Sequence, residues 1–387
     1  MRPSETRVPG WVFMMGGVGL VGMALALVVT GDVQRFFANW IVWLVVLLTL
    51  GLGALFMVAL EHVVAARWSV PLRRVPERLA SLLLLLVPIA GIGLLALLGS
   101  RPLYPWAAPG ALEDKILAGK AAWLNPGFFT LRVALCFLLW WVFYAVLVKG
   151  SLRQDEGRDA AFARRARRHS VLFLLVYAPT ITLVAFDWVM SLEPKWRSTI
   201  FGVYLFSGSV WSGLAAITLG VLYLKKQGRL PGVGPDHLYN LGGLMFAFTC
   251  FWTYIAISQF LLMWYANLPE EVIWFAHRSR DGWGMVAILL AVVHFAVPFF
   301  ALLSRDAKSD ERRLSFMAKW ILGAHALDIY FLVMPSLERG VLLGVMEISA
   351  ALFFIAAGVY WAARSMRMGA DMPTGDPNLA EGLEFHL

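Results

Sequence analysis

Long apolar stretches separated by short polar ones fill this chain. Ten of them reach the roughly 20 mostly apolar residues that a helix needs to cross a bilayer core. They run from Trp11 to Thr30, Ala38 to Val63, Leu79 to Gly99, Phe128 to Val148, Val171 to Ser191, Ile200 to Leu224, Leu241 to Trp264, Trp283 to Leu303, Met317 to Pro335 and Val341 to Ala362. Hydrocarbon offers backbone N–H and C=O groups no partner, so each stretch must satisfy its own backbone as a helix. Pro88, Pro179 and Pro298 lie inside the runs, where neighbouring helices can cover a loosened backbone. The pattern predicts an all-α polytopic membrane protein with ten transmembrane helices.

Composition agrees. Of 387 residues, 60% are hydrophobic and 15% charged, against about 45–50% and about 25% in soluble domains. A soluble globule is excluded, and 26 Phe with 17 Trp exclude a disordered chain. The net charge of +8 does not point to nucleic acid, because the basic residues sit in the breaks between apolar runs. Counted by side, 23 of the 33 fall with the two termini and 10 opposite, which places both termini in the cytoplasm. Lys149 to Arg168 supplies seven of these and Arg305 to Arg313 four. Arg2 and Arg7 precede the first run, which lacks a small-residue cleavage site and reads as a retained span. Cys136 and Cys250 lie within apolar runs and offer neither a disulfide framework nor a metal ligand set. The last stretch, 363–387, carries Asp371, Asp376, Glu381 and Glu384 and reads as a solvated cytoplasmic tail. Residues 100–127 and 265–282 form aromatic-rich external segments that either anchor at headgroups or dock a partner.

The chain also echoes itself. Span five ends Asp187-Trp188-Val189-Met190-Ser191-Leu192-Glu193, and span nine passes Asp328 and ends Val333-Met334-Pro335-Ser336-Leu337-Glu338. Spans four apart run the same way, so the echo predicts two parallel-repeat four-helix bundles. The divisions are a peripheral N-terminal span in 1–37, spans two to five in 38–199, spans six to nine in 200–340, and a peripheral last span in 341–362.

Ionisable groups inside hydrocarbon cost about 2.5–3.5 kcal/mol each on insertion scales, and so need partners or a function. The candidates are Glu61 and His62 near the inner end of span two, Asp187 near the outer end of span five, His294 in span eight, His325 and Asp328 in span nine, and Glu347 in span ten. His325 and Asp328, three apart, share a helix face. His294 lies at similar depth. Three readings remain open: a proton relay of imidazoles and carboxylates, a b-type haem between His294 and His325, and a polar cluster that only pins helix packing. Tyr204, Ser207 and Trp211, like Thr249, Cys250, Thr253, Tyr254 and Ser258, form stripes that let helices approach or line a wire. Gln259 could bond a quinone carbonyl. Glu270 and Glu271 beside Pro269 read as solvated or helix-capping. No P-loop, dinucleotide fingerprint, zincin motif or nucleophile triad is present, so the chain is not expected to catalyse alone.

Three strings carry a family resemblance. They are Phe186-Asp187-Trp188-Val189-Met190-Ser191-Leu192-Glu193-Pro194 with Ser198-Thr199-Ile200-Phe201-Gly202, then Trp264-Tyr265-Ala266-Asn267-Leu268-Pro269-Glu270-Glu271, and His294-Phe295-Ala296-Val297-Pro298-Phe299 before Leu302-Leu303-Ser304-Arg305. The chain resembles the ActF subunits of bacterial alternative complex III, within the NrfD-like membrane subunits. The resemblance implies two four-helix bundles in the bacterial inner membrane and a cofactor-free subunit of a quinol:electron-acceptor oxidoreductase. It also implies partners: multihaem and monohaem cytochrome c and iron–sulfur subunits that hold the redox cofactors, an ActC-like quinol-binding subunit, small membrane subunits, lipids and a terminal oxidase. Carried over, it makes Asp187, His294, His325, Asp328 and Glu347 proton-relay candidates, with Glu61 and His62 as an inner mouth. Trp188 and the outer ends of spans two to five would then border any quinone pocket. A secondary transporter with internal repeats and a purely structural scaffold are the alternatives.

Overall fold

The computed structural model describes residues 8–157 and 160–387, and Arg2, Arg7 and Arg158, counted above for topology, lie outside the described residues. Among the described residues there is no strand. Ten helices are long and apolar enough to cross a membrane: α1 Gly10–Thr30, α2 Val33–Val64, α3 Arg74–Leu97, α4 Pro126–Gly157, α5 Ala161–Leu192, α6 Phe201–Lys226, α7 Pro235–Ala266, α8 Trp283–Ala301, α9 Glu311–Leu337 and α10 Val345–Ser365. All ten expected spans are present. Several run beyond their apolar stretch, because hydropathy registers hydrocarbon thickness whereas the helix continues through polar ends such as Arg35 and Arg153. An even number of crossings brings the start of α1 and the end of α10 to one face, here the terminal face; the other is the distal face.

The helices close two rings. α2 packs on α3, α3 on α4, α4 on α5 and α5 back on α2, and α6 to α9 repeat the arrangement. α2 and α6 are the most buried helices and meet along the seam between the rings. Their backbones touch: a Cβ on Gly53 would lie 2.0 Å from the Ser209 carbonyl oxygen, so glycine is required there. Such close approach is what holds helices together where lipid removes the hydrophobic drive between them. α1 and α10 pair with each other at the periphery. Both echo strings end in a 3₁₀ turn, Met190–Leu192 in α5 and Met334–Leu337 in α9.

The tail departs from expectation, because it is docked rather than solvated. The Arg78 guanidinium donates to the carbonyls of Met368 and Ala370 and pairs with Asp371 at 3.1 Å. Arg229 also grips Asp371, Arg73 pairs with Asp376, and Arg67 with Glu381. His237 meets the Gly382 carbonyl at 2.8 Å, at the short helix Leu379–Leu383. The tail's acids thus find arginines drawn from two separate connections on the terminal face, α2–α3 and α6–α7, a complementarity that only folding assembles. Burial alone would raise the Asp376 carboxyl, but Arg73 and the hydrogen bonds from Asn378 outweigh it and hold it below the ordinary value.

Candidate functional site

Five helices converge on a polar cluster in the second ring. α9 supplies His325 and Asp328 from one face, α8 supplies His294, and α6 contributes Tyr204, Gly208 and Trp211 at helical spacing. α7 adds Trp252, and α2 reaches across the seam with Thr49. His294, His325 and Asp328 are each at most 1% exposed.

Local backbone sets their aim. His294 lies in a π-helical turn, Ala291–Ala296. Pro298, four residues on, has no N–H to bond the His294 carbonyl, so the regular ladder is interrupted where the imidazole must be turned inward. Gly208 leaves room for the neighbouring ring, since a Cβ there would sit 3.0 Å from His325 Cε1.

The Tyr204 hydroxyl donates to Asp328 Oδ1 at 2.5 Å, and His294 Nε2 stands 3.9 Å from Asp328 Oδ2. The His294 ring lies between the indoles of Trp252 and Trp211, with centroids 3.5 and 4.0 Å away. Its two nitrogens have no hydrogen-bond partner. His325 Nε2 lies 2.8 Å from Thr49 Oγ1, whose single proton is directed to the carbonyls of Val45 and Val46. His325 is therefore assigned as the donor at Nε2, which leaves Nδ1, itself unpartnered, as an acceptor.

His294, His325 and Asp328 could also be considered as metal donors, each offering an atom within 4.8 Å of the others. Tetrahedral ligands at about 2.1 Å from an ion sit about 3.4 Å apart, closer than the 3.9 Å between His294 and Asp328. That separation is also longer than a direct hydrogen bond. A porphyrin would need the space beside His294 that Asp328 and the two indoles fill.

The remaining candidates lie elsewhere. Asp187, in the π-helical turn Ala185–Val189, is in the first ring, where the Arg132 guanidinium clamps it at 2.7 and 3.0 Å and the Trp123 indole donates at 3.2 Å. Glu347, at the distal start of α10, is held by Arg35 at 2.7 and 2.5 Å and by Asn39 at 3.0 Å. Glu61 and His62 sit at the terminal end of α2, about 18 Å along the helix from Thr49 at 1.5 Å per residue; each has one unpartnered side-chain atom. Gln259 is buried in α7 two turns distal to Trp252, with its oxygen unpartnered. Trp188 is buried against Phe129, and its carbonyl accepts from the Tyr104 hydroxyl at 3.0 Å. A cavity of about 360 Å³ opens nearby, lined by Lys120, Trp123, Leu124, Phe186, Met190 and Trp196 but not by Trp188.

Several residues of consequence escaped the reading of the sequence. Arg132 is an ionisable group inside an apolar run and belonged in the candidate set on that ground alone. Tyr204 and Trp211 belong to a stripe that reads as helix packing or the lining of a wire, and nothing in their spacing marks them as contacts of Asp328 and His294. Thr49 had no sequence signal at all.

Fold and site together define a ten-span, all-α membrane protein with a titratable cluster sealed inside its second ring. No protein-family model matches the chain, and no curated protein does either.

Proposed function

We propose that this chain is the membrane subunit of a quinol-oxidising respiratory complex of the alternative complex III type, with its terminal face toward the cytoplasm, and that its own contribution is to carry protons through the second ring. The sequence resemblance supports the complex, and the arrangement around Asp328 supports the proton role. Asp328 is a fully buried carboxyl whose neighbours are the Tyr204 phenol, the Trp252 indole and two imidazoles, and among the described residues no cation forms an ion pair with it. Without a fixed countercharge, the acid is not tied to one protonation state, and the unpartnered nitrogens of His294 and His325 beside it can accept and return a proton. Electrons would pass through haem and iron–sulfur groups in partner subunits, so no redox chemistry is assigned to this chain.

The test is Asp328→Asn in the assembled complex reconstituted in liposomes. Quinol oxidation should persist while the protons moved per electron fall; an unchanged ratio would overturn the proton role and leave packing as the cluster's purpose. The 360 Å³ cavity beside α5 favours a second reading, in which a quinone ring rests against Trp123 and Phe186. A photoreactive quinone should then crosslink to residues 119–124, and labelling confined to other subunits would remove this reading.

A further inference from the structure

Charged and polar groups continue from the cluster toward the distal face. Arg278, just past the helix Pro269–His277, turns inward and is 3% exposed. Its guanidinium donates to the carbonyls of Phe331 at 3.2 Å and Leu332 at 2.7 Å. These residues follow Asp328 by three and four positions, so the guanidinium is bound about one helical turn distal to Asp328 along α9. Trp274 lies under the cation at 3.7 Å. Burial pushes Arg278 down from its ordinary value while Glu193 and Tyr204 push it back up, so the charge acts on the same phenol that holds Asp328. Arg278 also donates to Glu193 Oε1 at 2.6 Å, and the other Glu193 oxygen lies 3.2 Å from His277 Nδ1. The His277 side chain is about a third exposed. Along one side, the rings of Trp274, Trp196, Phe201 and Tyr204 touch in that order and end at the phenol that donates to Asp328.

Among the described residues, no comparable run of charged groups leads the other way. Toward the terminal face, the backbones of α2 and α6 close together at Gly53 and Gly213, one turn beyond Thr49. The next candidates, Glu61 and His62, lie two more turns away.

Resting on the proton-carrying reading of the cluster, we infer that Glu193 and His277 form its distal port: protons exchange between Asp328 and the water on the distal face through Tyr204 and Glu193, and His277 is the group at the surface. Arg278 is a positioning residue that holds Glu193 over the passage. As Tyr204 accepts the proton of Asp328 it gives up its own hydroxyl proton on the distal side; Glu193 Oε2, the oxygen not held by Arg278, takes that proton up and passes it to His277 or to water, so Tyr204, Glu193 and His277 are restored and Asp328 is left as the carboxylate that takes the next proton.

The experiment uses the assembled complex in vesicles of one orientation. After a pH jump on the distal side, the protonation of Asp328 is followed by its carboxyl C=O infrared band, identified by its loss in Asp328→Asn. Glu193→Gln should slow the response at least tenfold and Glu193→Asp should restore most of it. The surface variant His277→Gln, which leaves the Arg278–Glu193 pair in place, should slow it two- to fivefold and keeps the test open if Glu193→Gln fails to assemble. An unchanged rate in Glu193→Gln, or in His277→Gln if that alone assembles, would overturn the port while leaving the relay intact. Should Asp328→Asn itself leave proton transfer unaltered, the relay falls first and the port with it.

Discussion

Each ring of this protein buries one aspartate on its fourth helix, and the two are treated in opposite ways. Asp187 in α5 faces Arg132 of α4, which binds it through two nitrogens and lies over the rings of Trp123 and Phe128 at 4.3 and 4.5 Å. Asp328 in α9 faces His294 of α8, the counterpart of α4 in the second ring, and accepts from the Tyr204 hydroxyl beside the Trp252 indole. One helical frame therefore carries a bidentate ion pair in one half and a buried acid with no guanidinium in contact in the other. The residue across the ring makes the difference, because the Arg132 guanidinium stays charged and occupies both Asp187 oxygens, whereas an imidazole need not be charged.

The largest expected effect breaks the locked half. Arg132→Ala leaves a buried carboxylate without its partner and should cost about 3–5 kcal/mol of stability, read as a lowered unfolding midpoint in detergent. Adding Asp187→Asn should recover most of that loss. Asp328→Asn, which keeps an acceptor for Tyr204, should shift the same midpoint by no more than about 1.5 kcal/mol, the scale of one hydrogen bond. Equal losses from Arg132→Ala and Asp328→Asn would erase the contrast between the rings.

An intermediate effect concerns the seam that lets α2 of the first ring supply Thr49 to the second. Gly53→Ala pushes a methyl group into the Ser209 carbonyl and must separate α2 from α6. Overpacking of this kind costs about 1–3 kcal/mol. It should also loosen the Thr49–His325 contact, seen as a shifted imidazole resonance of His325; a resonance that stays in place would show that the rings are not coupled there.

The smallest effect is at the terminal face, away from both aspartates. A carboxyl lowered on folding, as Asp376 is by Arg73, adds stability above its unfolded value near 3.9 and loses it as the pH falls through the folded value. The tail should therefore stay docked near neutral pH, and hydrogen exchange across 366–383 should quicken only below about pH 3.9. Quickening near pH 6 would mean that the arginine clasp is not what holds it.

Much was written in the sequence because the bilayer imposes a one-dimensional rule. About 20 apolar residues in a row specify a crossing whatever lies beside them, so the ten spans, the shared face of the termini and the nearness of His325 to Asp328 could be read without any packing. Buried ionisable residues also announce themselves by their rarity in such runs. What each of them does was decided in three dimensions. Glu347 and Asp187 look like Asp328 along the chain, yet Arg35 is 312 positions from the first and Arg132 is 55 from the second. The same holds for the tail, which is polar enough to be solvated and was docked only because arginines from distant breaks met its acids. A side chain's composition fixes what it can exchange; the partner across the helix interface fixes whether it is free to do so, and that partner is chosen by packing between helices, which no local pattern encodes.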